Sequence, residues 1–266
     1  MIATCGTQAA TRAPARRGWR RLAAALVLAP TLATPLRAQP VVTPDADRLL
    51  KSSLAYVGQL SKFGFGARTS LEVVLTSGQK IQLGGAIDAV VQRPDRMRVR
   101  RGSGLDDQTY VYDGRTLALW NPARNEYASL PAPDTIDKML DFARERLGIV
   151  APAGDLIGAD AYAVMMDGVT EGFVVGKSLV EGVRCDQLAF RAPHVDWQIW
   201  IEEGARPLPR KLVITTRDLA SEPQFEVVIT KWDLQPRIDT RTFAFVAPKG
   251  AQQVDLALRE PATPGK

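Results

Sequence analysis

Few residues in this chain are of a type that does chemistry. His194 is its only histidine, set between Pro193 and Val195 in a segment that reads as a turn. A multi-histidine metal centre is excluded by count, and no triad motif surrounds His194, which reads as a surface histidine and not as a general base. Gly172-Phe173-Val174-Val175-Gly176-Lys177-Ser178 resembles a phosphate loop, but Glu171 stands where the first glycine belongs. The residues after it, Leu179 to Gly182, read as strand and turn, where a phosphate loop needs a helix N-terminus to cradle the anion. Asp106-Asp107 and Glu202-Glu203 offer doubled carboxylates. Both doublets lie near glycines and read as loops, and adjacent strand residues point to opposite faces, which separates such carboxylates. Cys185 reads as a small buried hydrophobe. Arg93, Arg96, Arg98, Arg100 and Arg101 make either an anion-facing strip or a solvated sheet face balanced by Asp95, Asp106 and Asp107. The residues point to a protein that is not an enzyme and takes no metal or cofactor.

Apolar recognition is better supplied. Leu71, Val73 and Leu75 share one face of a strand, as do Trp197, Ile199 and Ile201, and Phe225, Val227 and Ile229. These residues are core by default and, in the sharper reading, the lining of a hydrophobic cavity. A filled core and a hollow one use the same side chains.

The elements that would position them follow from periodicity. Pro44-Asp45-Ala46-Asp47 opens a helix of about four turns, with Leu50, Leu54 and Val57 on its apolar stripe. From Phe65 the period becomes two, and strands follow over 65–75, 80–91, 96–100, 109–113, 116–120 and 126–130. Gly84-Gly85 predicts a bulge or sharp bend, and Asp113-Gly114 a hairpin. Asp134 is the expected N-cap of a second helix whose face is Ile136, Met139, Leu140, Ala143 and Leu147, closed by Gly148. Short helical pieces follow across 155–157 and 161–166. Five more strands complete the pattern over 172–180, 185–191, 197–201, 211–216 and 225–232. The fold class is mainly β (α+β): a large, curved antiparallel sheet, an open half-barrel, with helices covering its concave face.

The first 38 residues carry six arginines and neither Asp nor Glu. The apolar run Leu22–Ala29 follows, and Leu36-Arg37-Ala38 supplies a small-residue cleavage site. This is the layout of a secretory signal peptide over 1–38, too short and too interrupted by Pro30 and Pro35 to anchor in a bilayer. Arg16-Arg17 leaves Sec and Tat export both open. Removal leaves 28 basic against 29 acidic residues, a net charge of −1. A nucleic-acid partner loses its support. Cys5 leaves as well, so Cys185 has no partner for an internal disulfide. Behind a short lead at 39–43, residues 44–256 read as one domain, and 257–266 as a disordered tail.

The runs Gly182–Arg191, Val195–Ile201 and Pro207–Lys211 resemble the predicted periplasmic family DUF2092, a likeness that extends over most of 44–256. The layout of a leading helix, strands and a terminal Phe243-Ala244-Phe245-Val246-Ala247-Pro248 is distantly similar to the LolA/LolB lipoprotein carrier and its receptor. That resemblance implies an open half-barrel that binds acyl chains, and it makes Arg68 a candidate for a cavity arginine. The expectation is a periplasmic (or, alternatively, extracellular) protein that binds a lipid or a lipoprotein acyl chain. The alternative is an envelope protein-interaction or sensor module with a packed interior.

Overall fold

A computed structural model describes residues 41–104, 107–149 and 154–256. The expected leader at 1–38, Asp106 and the tail at 257–266 lie outside the described residues.

Helix α1 (Pro44–Gln59) forms as its pattern demands. Ala46, Leu50, Leu54 and Val57 are buried along one stripe, and Asp45 and Asp47 sit in the first turn, where the helix dipole favours acids. Ser53 lies on the buried stripe and donates to the Pro207 carbonyl at 2.7 Å. Strands β1 (Lys62–Val74), β2 (Lys80–Gln92), β3 (Arg96–Gly102), β4 (Gln108–Tyr112), β5 (Thr116–Asn121) and β6 (Glu126–Pro131) follow. Helix α2 (Ile136–Leu147), a 3-10 turn (Gly154–Leu156) and helix α3 (Ala161–Met166) separate them from β7 (Glu171–Val180), β8 (Val183–Arg191), β9 (Val195–Glu202), β10 (Pro209–Thr216) and β11 (Gln224–Asp233). A two-residue β12 (Gln252–Gln253) ends the described chain.

All twelve described strands lie in one sheet, ordered β12-β6-β5-β4-β3-β2-β1-β11-β10-β9-β8-β7. Strand β1 pairs with both β2 and β11 and so joins the two strand blocks. The pairs are antiparallel except β12 with β6, a short parallel pairing that the periodicity did not announce. The sheet does not close: β12 and β7 remain at its edges. Inward-facing side chains and the buried faces of α1 and α2 form one hydrophobic core. A smaller apolar cluster of Val180, Cys185, Trp200, Val213 and Val228 lies apart from it. This is the expected open half-barrel with its helices on one side.

Two local expectations are corrected. Gly84-Gly85 makes no bulge: β1 and β2 stay in register from Lys62↔Gln92 to Val74↔Lys80. Gly85 instead allows close approach, because a Cβ there would come within 2.9 Å of the Thr69 hydroxyl and 3.2 Å of the Gly102 carbonyl. The slips fall elsewhere, at Gly66/Ala67, Val174/Gly176 and Pro209/Lys211. The N-cap of α2 is Thr135, whose hydroxyl accepts from the Lys138 amide at 3.3 Å, while Asp134 pairs with the Lys138 ammonium at 2.9 Å. Gly148 closes the helix as expected, at φ 65° in the left-handed region.

Candidate hydrophobic ligand cavity

Between α2 and the inner faces of β1 to β5 lies a cavity of about 780 Å³. Alternation supplies its floor: Phe65, Thr69 and Leu71 from β1, Leu83, Gly85 and Ile87 from β2, Met97, Val99 and Arg101 from β3. Its roof is the buried stripe of α2, with Met139, Leu140 and Ala143 pointing down. Gly84, Gly85, Gly102, Ala143 and Gly148 also line it.

One end is shut. Arg93 donates to the Ile157 carbonyl at 2.7 Å, and its guanidinium lies 5.6 Å from the centre of the Phe63 ring. Burial pulls the Arg93 pKa down, opposed by the charge of Asp137. The Ile136 amide donates to the Pro94 carbonyl at 2.9 Å. These bonds tie the first residue of α2, and Ile157 just after the 3-10 turn, to the turn between β2 and β3. Phe65, Met97, Leu117 and Met139 are buried at this closed end.

The other end is open and polar. Leu71 and Leu83 are 38% and 41% exposed there, beside Gln82, Arg101, Ser103 and Gln108. The Tyr110 hydroxyl donates to Gln108. Arg144 is held by Asp155 at 2.6 Å and by Asp141 at 3.6 Å. Burial raises the Asp155 pKa, and Arg144 opposes that rise. Arg101 has no ion-pair or hydrogen-bond partner among the described residues. No cluster among the described residues could hold a metal ion. The arrangement can solvate an apolar chain and meet a polar group at its mouth.

Of the candidate lining residues, the fold brings Leu71 and Phe225 to this cavity. Val73 is half-buried on β1, and Leu75 is exposed just beyond it. Trp197, Ile199, Ile201, Val227 and Ile229 are buried in the packed core that α1 shares, and Trp197 stacks on Phe190 with ring centres 4.1 Å apart. Sequence reasoning missed Met97, Val99, Tyr110 and Leu117 as lining. The signal was present in β3, where arginines alternate with Met97 and Val99.

Residues 46–257 match the family described as "Predicted periplasmic protein (DUF2092)". The chain belongs to this family. Comparison with curated proteins found no match. Among solved structures, the chain is similar to an uncharacterised conserved protein from Thermus thermophilus (10% identity, TM-score 0.47, covering 79% of this chain and 98% of that one). It is also similar to lipoprotein LppX of Mycobacterium tuberculosis (13% identity, TM-score 0.48, 74% and 99% covered). A third likeness is to a LolA superfamily protein from Nitrosomonas europaea (10% identity, TM-score 0.34, 75% and 97% covered).

The runs that carry the DUF2092 resemblance fall in β8, β9 and the start of β10, in the packed half of the sheet. Arg68 does not enter the cavity. Its neighbours Ala67 and Thr69 face inward, so alternation sends Arg68 outward, where it pairs with Glu181 at 2.7 Å. The glycine-rich 172–178 segment is strand β7. His194 is exposed beside Asp218. Glu202 pairs with Arg210 at 2.9 Å, while Glu203 pairs with Lys177 and, at 3.3 Å, Arg184, so the doublet is split between different partners. Asp107 accepts from the Ser103 and Gly104 amides and shapes a turn.

Proposed function

We propose that this protein binds a lipid, or the acyl chain of a lipoprotein, in the cavity beneath α2, and that it works in the periplasm without catalysing a reaction. The observation that carries the reading is the cavity of about 780 Å³, mostly apolar in its lining and open at a polar mouth. Pockets that hold small ligands span roughly 300–1,000 Å³. Each methylene moved from water into such a space gains about 0.8 kcal/mol, so an acyl chain supplies its own driving force. Native mass spectrometry after gentle purification tests the proposal, together with uptake of a fluorescent fatty acid. A chain that carries no lipid and takes up none would sink it.

A second reading, an envelope protein-interaction module, has one observation of its own. Edge strand β7 exposes Phe173, Val175 and Leu179, at 50%, 50% and 69%, and exposed apolar edges invite pairing. Cross-linking in periplasm that returns one protein partner and no lipid favours this reading.

A further inference from the structure

Resting on the cavity reading, we infer that the ligand is an amphiphile with an anionic head, carboxylate or phosphate, held at the mouth by Arg101. The cavity is graded. Phe65, Met97, Leu117 and Met139 make its closed end wholly apolar, whereas Gln82, Arg101, Ser103 and Gln108 ring the opening. An amphiphile enters such a space tail first and leaves its head at the rim.

The two cations at the rim differ. Arg144 is occupied by Asp155 at 2.6 Å and Asp141 at 3.6 Å. Arg101 lines the cavity, is exposed, and has no carboxylate partner among the described residues. Asp107, the described acid of the adjoining turn, does not neutralise it. A Cβ on Gly102 would lie 2.9 Å from the Asp107 carboxylate, and neighbouring strand residues point to opposite faces. Asp107 therefore sits on the face away from the Arg101 side chain, with one oxygen already accepting two amides. A guanidinium without a partner among the described residues, beside an apolar cavity, matches the planar, bidentate geometry of a carboxylate or phosphate.

The test is displacement of a fluorescent fatty acid from the full, delipidated protein by palmitate, methyl palmitate and lysophosphatidate, in wild type and Arg101→Gln. Palmitate is expected to bind about tenfold more tightly than its uncharged ester, a preference reduced by salt. Arg101→Gln, a change at an exposed site, is expected to remove that preference by weakening palmitate far more than its ester. Lysophosphatidate matching or exceeding palmitate, while inorganic phosphate does not compete, also supports an anionic head tethered to a chain. Equal binding of acid and ester by wild type, or an unaltered preference in the variant, overturns the inference while leaving the cavity reading in place. Failure of both acid and ester to bind overturns the cavity reading as well.

Discussion

Cys185 is fully buried against Trp200, Val213 and Val228 in the smaller apolar cluster. Burial pushes its thiol up to about 11, eased by Arg210 and reinforced by Glu202. Only about one thiol in a thousand is then ionised at pH 8, and the thiolate is the reactive form. Iodoacetamide at pH 8 is expected to leave the native protein unmodified and to alkylate Cys185 fully in denaturant; rapid native labelling would contradict the burial. Asp196 behaves in the opposite sense. The bidentate bonds from Arg191, both 2.9 Å, hold its pKa below the ordinary carboxylate range. A depressed folded pKa means that the pair stabilises above about pH 3.9 and that this contribution is lost as pH falls through the lowered value. Asp196→Asn should therefore melt below wild type at neutral pH, with the gap closing in acid. A gap that stays constant with pH would assign the effect to something other than the carboxylate charge.

Strand β7 and helix α2 show what elements ask of small residues. At Gly172 a Cβ would lie 2.5 Å from the Phe190 ring, which cannot retreat because it is buried and stacked on Trp197. Gly172→Ala is expected to cost about 1–3 kcal/mol by overpacking, read from denaturant midpoints; a neutral result would mean that the edge strand shifts freely. Ala143 presents the contrary case, since its neighbour is empty space. Ala143→Trp should fill the cavity, abolish fatty-acid uptake and leave the melting temperature near that of wild type; undiminished uptake would locate the ligand elsewhere. The elements themselves were legible: periods of two and 3.6 marked α1, α2 and the two strand blocks, and Gly148 marked the end of α2. The lining was legible only in part. Leu71 and Trp197 sit in the same inward alternation, yet one reaches a cavity mouth and the other a packed core. What separates them is which helix covers which half of the sheet, and that depends on the long-range pairing of β1 with β11. Gly84-Gly85 misled for a related reason. The close approach to Thr69 and Gly102 that calls for glycine is set by neighbouring strands and leaves no local signature.

The same sheet is thus filled at one end and hollow at the other. Helix α1 packs on β7, β9 and α3, with Leu50, Leu54, Val57, Leu188 and Ile199 buried between them. Helix α2 roofs the cavity and is tied at its first residue to the Pro94 carbonyl. Few apolar contacts and exposed backbone bonds mark the regions that open first. In delipidated protein, amide exchange is expected to be faster in α2 and β3 to β5 than in α1 and β8 to β10. A ligand that fills the cavity supplies the missing contacts only to the folded state. At a hundredfold excess over Kd it stabilises by about 2.7 kcal/mol. For a domain of roughly 150–250 residues each kcal/mol moves Tm by about 2–4 °C, so saturation with palmitate should raise Tm by about 5–11 °C. The added protection should concentrate in α2 and the strands beneath it. Uniform exchange before loading, or an unmoved Tm in protein shown by mass spectrometry to hold the lipid, would mean that the hollow half is as rigid as the packed one and that the ligand sits elsewhere.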